Sequence, residues 1–402
     1  MHTSTAIALT LLVLAYAVVS GLVRRWYVAP ALIFVVFGVA LGPSALGVID
    51  VQNADAQSFT ILAQLALTVI LFNQASRLNL RTELRRGHLT VRLLAIGMPV
   101  TVVLGALTAA VLLPVLPVSE AVCLAVIVAP TEAALIEAVL EDRRVPEQVR
   151  HALSAESGFY DGFALAALLA ALAVASEQKD PELAHWVWFG VRTELLSVAV
   201  GIAIGSIGTA VIVRSRARGW MSPTWAQLAT LALALLSFAT GERLHASGFV
   251  AAFAAGLAFA AVLSMSAETV ESTRVSDAVG ELLELLVFAM FGAFAVISAW
   301  RDVGWRVVVF AVVAVFAVRV VAVLLAMIRS SVPLMNTLFM GWFGPRGIGT
   351  LVLGLLVVDR DHIQQGNVIA QAVVVTVTLS LVLHSISAPL AIRVAAKSAE
   401  PV

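Results

Sequence analysis

Apolar stretches of roughly twenty residues recur along the whole chain and are separated by short polar loops. Because a helix needs roughly 20 apolar residues to cross the hydrocarbon core of a bilayer, each stretch predicts a membrane-spanning helix. We count thirteen such stretches: residues 3 to 23, 28 to 48, 58 to 76, 90 to 114, 119 to 140, 150 to 175, 187 to 213, 223 to 241, 246 to 265, 278 to 299, 305 to 328, 333 to 357 and 367 to 392. The predicted fold is an all-α integral membrane protein, with residues 1–402 as one transmembrane domain and no soluble regulatory domain.

Composition agrees with this prediction. Hydrophobic residues make up 61% of the chain, charged residues only 12%, and the mean hydropathy is +1.00. A soluble domain needs a more highly charged surface. The 25 basic and 25 acidic residues balance, so no overall field favours nucleic acid as a partner. Cys123 is the single cysteine, which excludes an intramolecular disulfide. The first apolar stretch precedes Arg24 and Arg25 instead of following a basic segment, so we interpret it as a retained anchor.

Basic residues fall mainly on alternate loops. Seventeen lie on one predicted side of the membrane and six on the other. The side richer in arginine and lysine is expected to face the cytoplasm. The chain is therefore predicted to be a multi-pass protein of the cell membrane, with its N-terminus outside and its C-terminus in the cytoplasm, as an odd number of spans requires.

Two predicted spans contain residues that break helices. Pro130 lies within span 5, and Gly344-Pro345-Arg346-Gly347 lies within span 12. Proline removes a backbone donor and disrupts the helix around it. Spans 5 and 12 differ by seven, so units formed by spans 1 to 6 and 8 to 13 would cross the membrane in opposite directions. This pattern predicts an inverted repeat, in which two broken crossing helices meet near the midplane and bind an ion.

Five charged residues lie deep within the predicted spans: Glu132, Glu156, Asp161, Arg319 and Arg346. Each would cost roughly 2.5 to 3.5 kcal/mol at the bilayer centre without a partner or a water-filled cavity. Such residues in membrane helices usually mark an ion path or a buried ion pair.

Asp161 is the best-centred acid, about 16 Å into span 6 at the usual helical rise. Ser157 lies four residues earlier on the same helical face, where its hydroxyl could join the carboxylate around a cation. Glu156 lies about 140° around the helix from Asp161, which suggests a separate role as the partner of Arg319. Thr131 and Glu132 could add oxygen ligands from the broken helix, since hard cations select oxygen.

Structural roles remain open for these residues. The Glu156–Arg319 pair could serve stability alone, and Asp161 could likewise be structural. Glu132 could cap the half-helix that follows it. Arg346 could either neutralise helix C-terminal ends or take part in ion binding.

Taken together, the motifs resemble the sodium/hydrogen exchanger family of prokaryotic monovalent cation:proton antiporters. The resemblance rests on residues in the same order and at family spacing: Phe72-Asn73-Gln74-Ala75-Ser76-Arg77-Leu78-Asn79-Leu80, Thr131-Glu132, Glu156-Ser157 with Asp161, Arg319, and Trp342-Phe343-Gly344-Pro345-Arg346-Gly347. It implies a homodimer in which a core subdomain, interleaved with a dimerisation subdomain, moves in an elevator-like cycle. It also implies that Asp161 binds the cation or proton with help from Thr131, Glu132 and Ser157, and that Glu156 pairs with Arg319.

The sequence departs from the family pattern at two positions. Tyr160 precedes Asp161 where the family usually has asparagine, and Glu132-Ala133 stands where the family usually has Asp-Pro. Both departures bear on cation preference. Tyr160 lies four residues after Glu156 on the same face, and its hydroxyl could replace the missing amide as a hydrogen-bonding group.

The expected function is exchange of a monovalent cation for H⁺, with Na⁺ as the first expectation and K⁺ or Li⁺ as alternatives. Cation and proton would compete for Asp161 in an electroneutral cycle that needs no cofactor. The expected partners are the cation, H⁺, membrane lipid and a second copy of the chain. Two other functions are weighed: a cation channel, and an intramembrane aspartyl protease built around Tyr160-Asp161. The protease would need a second membrane-embedded aspartate, and the other aspartates all lie in predicted loops or helix ends.

Overall fold

The computed structural model describes residues 3–26, 28–49, 53–78, 88–176, 183–265, 273–358 and 363–398. Helices account for nearly all of these residues. In chain order they are α1 Thr3–Arg25, α2 Pro30–Leu41, α3 Asn53–Arg77, α4 His88–Leu112, α5a Val118–Val128, α5b Ala133–Leu140, α6 Glu147–Ser176, α7 Leu183–Ala217, α8 Pro223–Arg243, α9 Gly248–Ser264, α10 Arg274–Arg301, α11 Trp305–Ala326, α12a Leu334–Trp342, α12b Ile348–Val358 and α13 Gly366–Ser398.

The all-α membrane fold predicted from the sequence is confirmed. Within the described ranges, nine helices are long and apolar enough to cross a membrane, or ten if α5a and α5b form one span bent by 45°. The helices α2, α9 and α12b are apolar but shorter. Each of the thirteen predicted stretches contains helix, whereas the count of thirteen crossings stays a prediction.

The helix α2 is shorter than the predicted second span. It ends at Leu41, and Gly42 adopts an extended conformation just before Pro43. Because the residue before a proline disfavours the helical conformation, the helix stops there although the sequence remains apolar.

The chain divides into two compact units that alternate along the sequence. The first comprises residues 1–62, 89–157 and 284–402, and the second comprises residues 63–88 and 158–283. In the second unit, α7 packs closely on α9 because Gly201 and Gly205 lie directly against Ala251 and Ala255. Small residues allow such close approach between membrane helices.

In the first unit, α2 packs on α10 in the same way. Gly38 lies against the backbone of Ala289, and Gly292 lies against the backbone of Val35. Among the described residues, three long helices also contain a π-helical turn, at Leu93–Gly97, Gly292–Val296 and Val313–Val318. The last of these ends immediately before Arg319, and π-helical turns often occur at functional sites.

Candidate functional site

Both predicted helix breaks are present, and they meet. Residues 129–132 separate α5a from α5b, and residues 343–347 separate α12a from α12b. The backbone amide of Glu132 donates to the carbonyl oxygen of Pro345 at 2.8 Å, which joins the two breaks directly. Pro130 and Pro345 explain why neither helix is continuous, since each removes a backbone donor. The sequence therefore predicted the location of this crossing correctly.

Arg346 lies at the end of α5a. Its Nη1 donates to the carbonyl oxygens of Ala129 and Pro130, the second at 2.8 Å, and its side chain is fully buried. Ala129 and Pro130 directly follow α5a, at a helix end that leaves backbone acceptors without partners in the helix itself. A guanidinium at this point also meets the partial negative charge of the helix C-terminus. Of the two roles left open for Arg346, this geometry provides the neutralising one.

Glu132 lies at the opposite kind of helix end. Its carboxylate lies beside the backbone amides of Gly349 and Ala134, in the first turns of α12b and α5b. The positive ends of two half-helices therefore meet one buried carboxylate and partly offset the cost of burying its charge. A Cβ on Gly347 would lie 2.6 Å from Cγ of Glu132, so only glycine allows the chain to pass the glutamate this closely.

Ser157 connects α6 to the first break. Its hydroxyl donates to the carbonyl oxygen of Thr131 at 2.7 Å and accepts from the amide of Ala133 at 2.9 Å. The structure thus brings Thr131, Glu132 and Ser157 together. Ser157 also supplies hydrogen bonds that the broken helix cannot make for itself.

The structure places Glu156 and Arg319 in a paired geometry. Nη1 and Nη2 of the arginine donate to Oε1 and Oε2 of the glutamate at 2.5 and 2.7 Å, and both side chains are fully buried. Two parallel, charge-assisted bonds form the strongest common arrangement of these groups. The pair joins α6 to α11 within the first unit.

Asp161 and Tyr160 continue α6 beyond this pair. The helix runs through both residues, and the side chain of Tyr160 is fully buried. The side chain of Asp161 lies outside the described residues. Its position therefore rests on the helix itself, which places residue 161 one turn beyond Ser157.

Sequence reasoning missed the contribution of α13. The hydroxyl of Ser380 accepts from the backbone amide of Arg346 at 2.8 Å, and Nε2 of His384 lies 2.8 Å from the carbonyl oxygen of Trp342, the last residue of α12a. These contacts from α13 stabilise the non-helical backbone between α12a and α12b. A serine and a histidine four residues apart in an apolar helix were the available signal, because residues at that spacing share a face.

Glu120 was also missed. It is buried in the first turn of α5a, and its two carboxylate oxygens accept from the backbone amides of Gln364 and Gln365 at 2.7 and 3.1 Å. These amides directly precede α13, so the carboxylate satisfies donors at a helix N-terminus.

Comparisons with known proteins agree with this architecture. The family model of the transmembrane sodium/hydrogen exchanger matches residues 9–393. Similar curated proteins include the K(+)/H(+) antiporter NhaP of Alkalimonas amylolytica, 26% identical over 87% of this chain and 60% of its own length. The Na(+)/H(+) antiporter of Saccharomyces cerevisiae is 25% identical over 83% of this chain and 35% of its own length. The chain thus spans three fifths or less of these relatives.

Among solved structures, the chain resembles the sodium proton antiporter MjNhaP1 from Methanocaldococcus jannaschii at pH 8. The TM-score is 0.79 with 20% sequence identity, over 98% of this chain and all of the other. This likeness concerns the fold. Since the family model covers nearly the whole chain, the protein belongs to the transmembrane sodium/hydrogen exchanger family.

Proposed function

We propose that this protein exchanges a monovalent cation for H⁺ across the cell membrane by alternating access, with cation and proton competing for Asp161. The observation that carries the proposal is the set of contacts at the crossing of the two broken helices. There, protein groups hold two of the buried charged side chains: Glu156 is paired with Arg319, and Arg346 is bound by the carbonyl oxygens of Ala129 and Pro130.

These contacts support different roles for the three acidic residues Glu156, Glu132 and Asp161. A carboxylate that is paired with a buried guanidinium by two hydrogen bonds is poorly suited to release and bind an ion in each cycle. Glu132 faces two helix N-termini, which partly offset the cost of a buried negative charge without a mobile ion. Asp161, one turn beyond Ser157 and with no basic residue on its own helical face, is the remaining acid of span 6 and is proposed to carry the exchanging ion.

The chemistry of the break supports a cation ligand set made of oxygens. Thr131, Glu132 and Ser157 lie together and offer hydroxyl, carbonyl and carboxylate oxygens. Alkali cations are hard ions that prefer such ligands. We propose that these residues assist Asp161 and that Tyr160 and Glu132, at the two departures from the family pattern, set the cation preference.

Relatives support exchange over the alternatives. The similar proteins are named as Na(+)/H(+) or K(+)/H(+) antiporters, which favours Na⁺ or K⁺ as the cation and leaves Li⁺ as a further candidate. We propose Na⁺ first. Family membership favours neither a passive cation channel nor an intramembrane aspartyl protease.

The proposed assembly is a homodimer that works without a cofactor, with the N-terminus outside the cell and the C-terminus in the cytoplasm. The proposed cycle moves a core subdomain, which holds the ion site, against a dimerisation subdomain. Proteins of this kind commonly transport by rigid-body movement of one bundle.

Reconstitution into liposomes tests the exchange. The purified full chain is inserted into vesicles that contain a pH-sensitive dye and hold an acidic interior, and Na⁺, K⁺ or Li⁺ is added outside in turn. Exchange predicts that the interior becomes more alkaline with a saturable dependence on the cation, and that the apparent cation affinity falls as pH drops because protons compete. A cation current that does not saturate and moves no protons would identify a channel instead.

A further inference from the structure

The connection between α7 and α8 carries a dense group of arginine and tryptophan side chains. We define the α7–α8 tip as residues 214–225, which read Arg-Ser-Arg-Ala-Arg-Gly-Trp-Met-Ser-Pro-Thr-Trp. From Leu195 to Gly241 the chain contains no aspartate or glutamate. The tip is therefore a cationic surface within the second unit.

Helix length places the tip at the edge of the membrane. The helix α7 has 35 residues, which correspond to about 52 Å at 1.5 Å per residue, whereas the hydrocarbon core is about 30 Å thick. Its apolar sequence ends at Val213, and the first arginine follows directly. The three arginines thus begin where the apolar surface stops, at the depth of lipid headgroups.

The end of α7 fixes the orientation of the tip. Gly219 adopts a positive φ of 68°, and the amide of Trp220 donates back to the carbonyl oxygen of Ser215 at 2.9 Å. This is the hydrogen bond by which a glycine commonly closes a helix. It turns the chain so that the guanidinium of Arg218 lies 4.7 Å from the centre of the Trp220 ring.

Two side-chain types are exposed together at the tip. Arg214 and Arg218 are both exposed, and the amide of Arg218, the residue after α7, still donates to the carbonyl oxygen of Arg214 at 3.3 Å, so the two residues lie on the same side of the helix end. Trp220 and Trp225 are 73% and 67% exposed. Tryptophan prefers the membrane–water interface, where its apolar ring and its N–H are both accommodated, and guanidinium groups bind phosphate well.

We propose that the α7–α8 tip binds the phosphate headgroups of anionic phospholipids. Arg214 and Arg218 contact the phosphates while Trp220 and Trp225 enter the interface, and the cation–π contact orients Arg218 towards the lipid. The positive-inside pattern assigns this tip to the cytoplasmic leaflet, where anionic lipids create a negative surface potential. The proposal does not depend on the transported ion.

Native mass spectrometry of the full chain in detergent tests the proposal, with phosphatidylglycerol or phosphatidylcholine titrated as the probe. The wild type is expected to bind phosphatidylglycerol more tightly than phosphatidylcholine. In Arg214→Gln/Arg218→Gln, phosphatidylglycerol affinity is expected to fall about 25-fold, or fivefold per arginine, which corresponds to about 1 kcal/mol for each charge. Because both side chains are exposed, the variant is expected to fold and to exchange ions in liposomes.

The matched control is Arg143→Gln/Arg274→Gln, which removes two exposed arginines from the same predicted side of the membrane. It is expected to retain the wild-type preference. Equal affinity of the tip variant and the wild type, an equal loss in the control, or equal binding of both lipids by the wild type would each overturn the proposal. Displacement of phosphatidylglycerol by millimolar inorganic phosphate would also overturn it, because it would identify a site for free anions.

Discussion

At the level of single residues, three kinds of partner offset the free-energy cost of burying charged side chains near the helix breaks. Glu156 meets a guanidinium, Arg346 meets backbone carbonyls, and Glu132 lies beside backbone amides. The first partner is a full opposite charge, whereas the other two are helix ends with partial charges. Loss of a residue is therefore expected to have different consequences at each position, which mutagenesis can separate.

Replacement of Asp161 by asparagine is expected to abolish exchange while the protein still inserts and folds. The amide has nearly the same size but cannot exchange a proton or balance a cation. Removal of an ionisable group from the membrane interior also lowers the cost of insertion. Dye-based exchange in liposomes tests the loss of transport, and the melting temperature in detergent tests whether the variant still folds. Wild-type exchange rates in the asparagine variant would exclude Asp161 as the carrier.

The Glu156–Arg319 pair is expected to contribute mainly to stability. Glu156→Ala or Arg319→Ala alone leaves the other charge buried without its partner, which typically costs about 3–5 kcal/mol. The double variant removes both charges and is expected to lose less than the sum of the two single losses. Thermal unfolding in detergent of the wild type, both single variants and the double variant completes the cycle. Additive effects would contradict a direct coupling between the two side chains.

At the level of elements, the crossing of α5 and α12 depends on supports from other helices. The helix α6 supplies Ser157, and α13 supplies Ser380 and His384. Each support completes a hydrogen bond that a broken helix leaves open. The gap between the half-helices is thus built from the breaks and from two continuous helices that hold them. A substitution that moves the backbone at a helix break is therefore expected to disturb the candidate ion site even when it leaves every charge in place.

Gly347→Ala tests this dependence on close backbone packing. The added methyl group would lie 2.6 Å from Cγ and 2.7 Å from Cβ of Glu132, so either the glutamate or the break must move. Overpacking of this kind typically costs about 1–3 kcal/mol. We expect a lower melting temperature and a lower exchange rate, measured in detergent and in liposomes respectively.

Gly304→Ala is the matched control for this variant. Gly304 is also a non-helical glycine directly before a helix, and a Cβ there meets nothing within 4 Å. It is expected to retain the stability and exchange rate of the wild type. The packing argument fails if both alanine variants behave alike.

At the level of the whole molecule, the stoichiometry of the proposed exchange depends on the five charged residues of the predicted spans. Glu132, Glu156 and Asp161 contribute three negative charges, and Arg319 and Arg346 contribute two positive charges. If Asp161 alone changes its occupant, a bound cation or proton cancels the remaining negative charge. An empty site would carry this charge through the low-dielectric barrier, which is unfavourable. Occupied states should therefore cross preferentially and couple the two fluxes.

The exchange is accordingly expected to be electroneutral, with one cation moved for one proton. In liposomes whose membrane potential is clamped with valinomycin and potassium, the exchange rate should not depend on the potential. A prior measurement must establish that potassium is not itself transported. Net proton movement driven by the potential and coupled to the cation would contradict the one-carboxylate cycle, and would indicate that Glu132 titrates as well.

Topology is the second prediction for the whole molecule. In a Cys123→Ala background, which removes the single buried cysteine, Arg301→Cys is expected to react with a membrane-impermeant maleimide added outside intact cells. Arg143→Cys is expected to react only after the membrane is permeabilised. Both arginines are exposed, so the contrast reports the side of the membrane. The opposite labelling pattern would reverse the predicted orientation.

The sequence by itself determined the helical membrane fold and the two places where helices break. Bilayer thickness sets the length of an apolar stretch, and Pro130 and Pro345 remove backbone donors wherever they stand, so both properties are local. The same reasoning predicted that Glu156 and Arg319 would need partners, because the cost of a buried charge does not depend on the neighbouring sequence.

Only the tertiary structure decided which groups supply the missing partners. Ser380 meets the amide of Arg346, the carboxylate of Glu120 meets amides more than two hundred residues away, and a π-helical turn precedes Arg319. A hydroxyl or carboxylate can satisfy many different backbone groups, so composition and spacing leave its partner undetermined. Which backbone groups lie within about 3 Å depends on how distant helices pack, and that is a property of the folded chain as a whole.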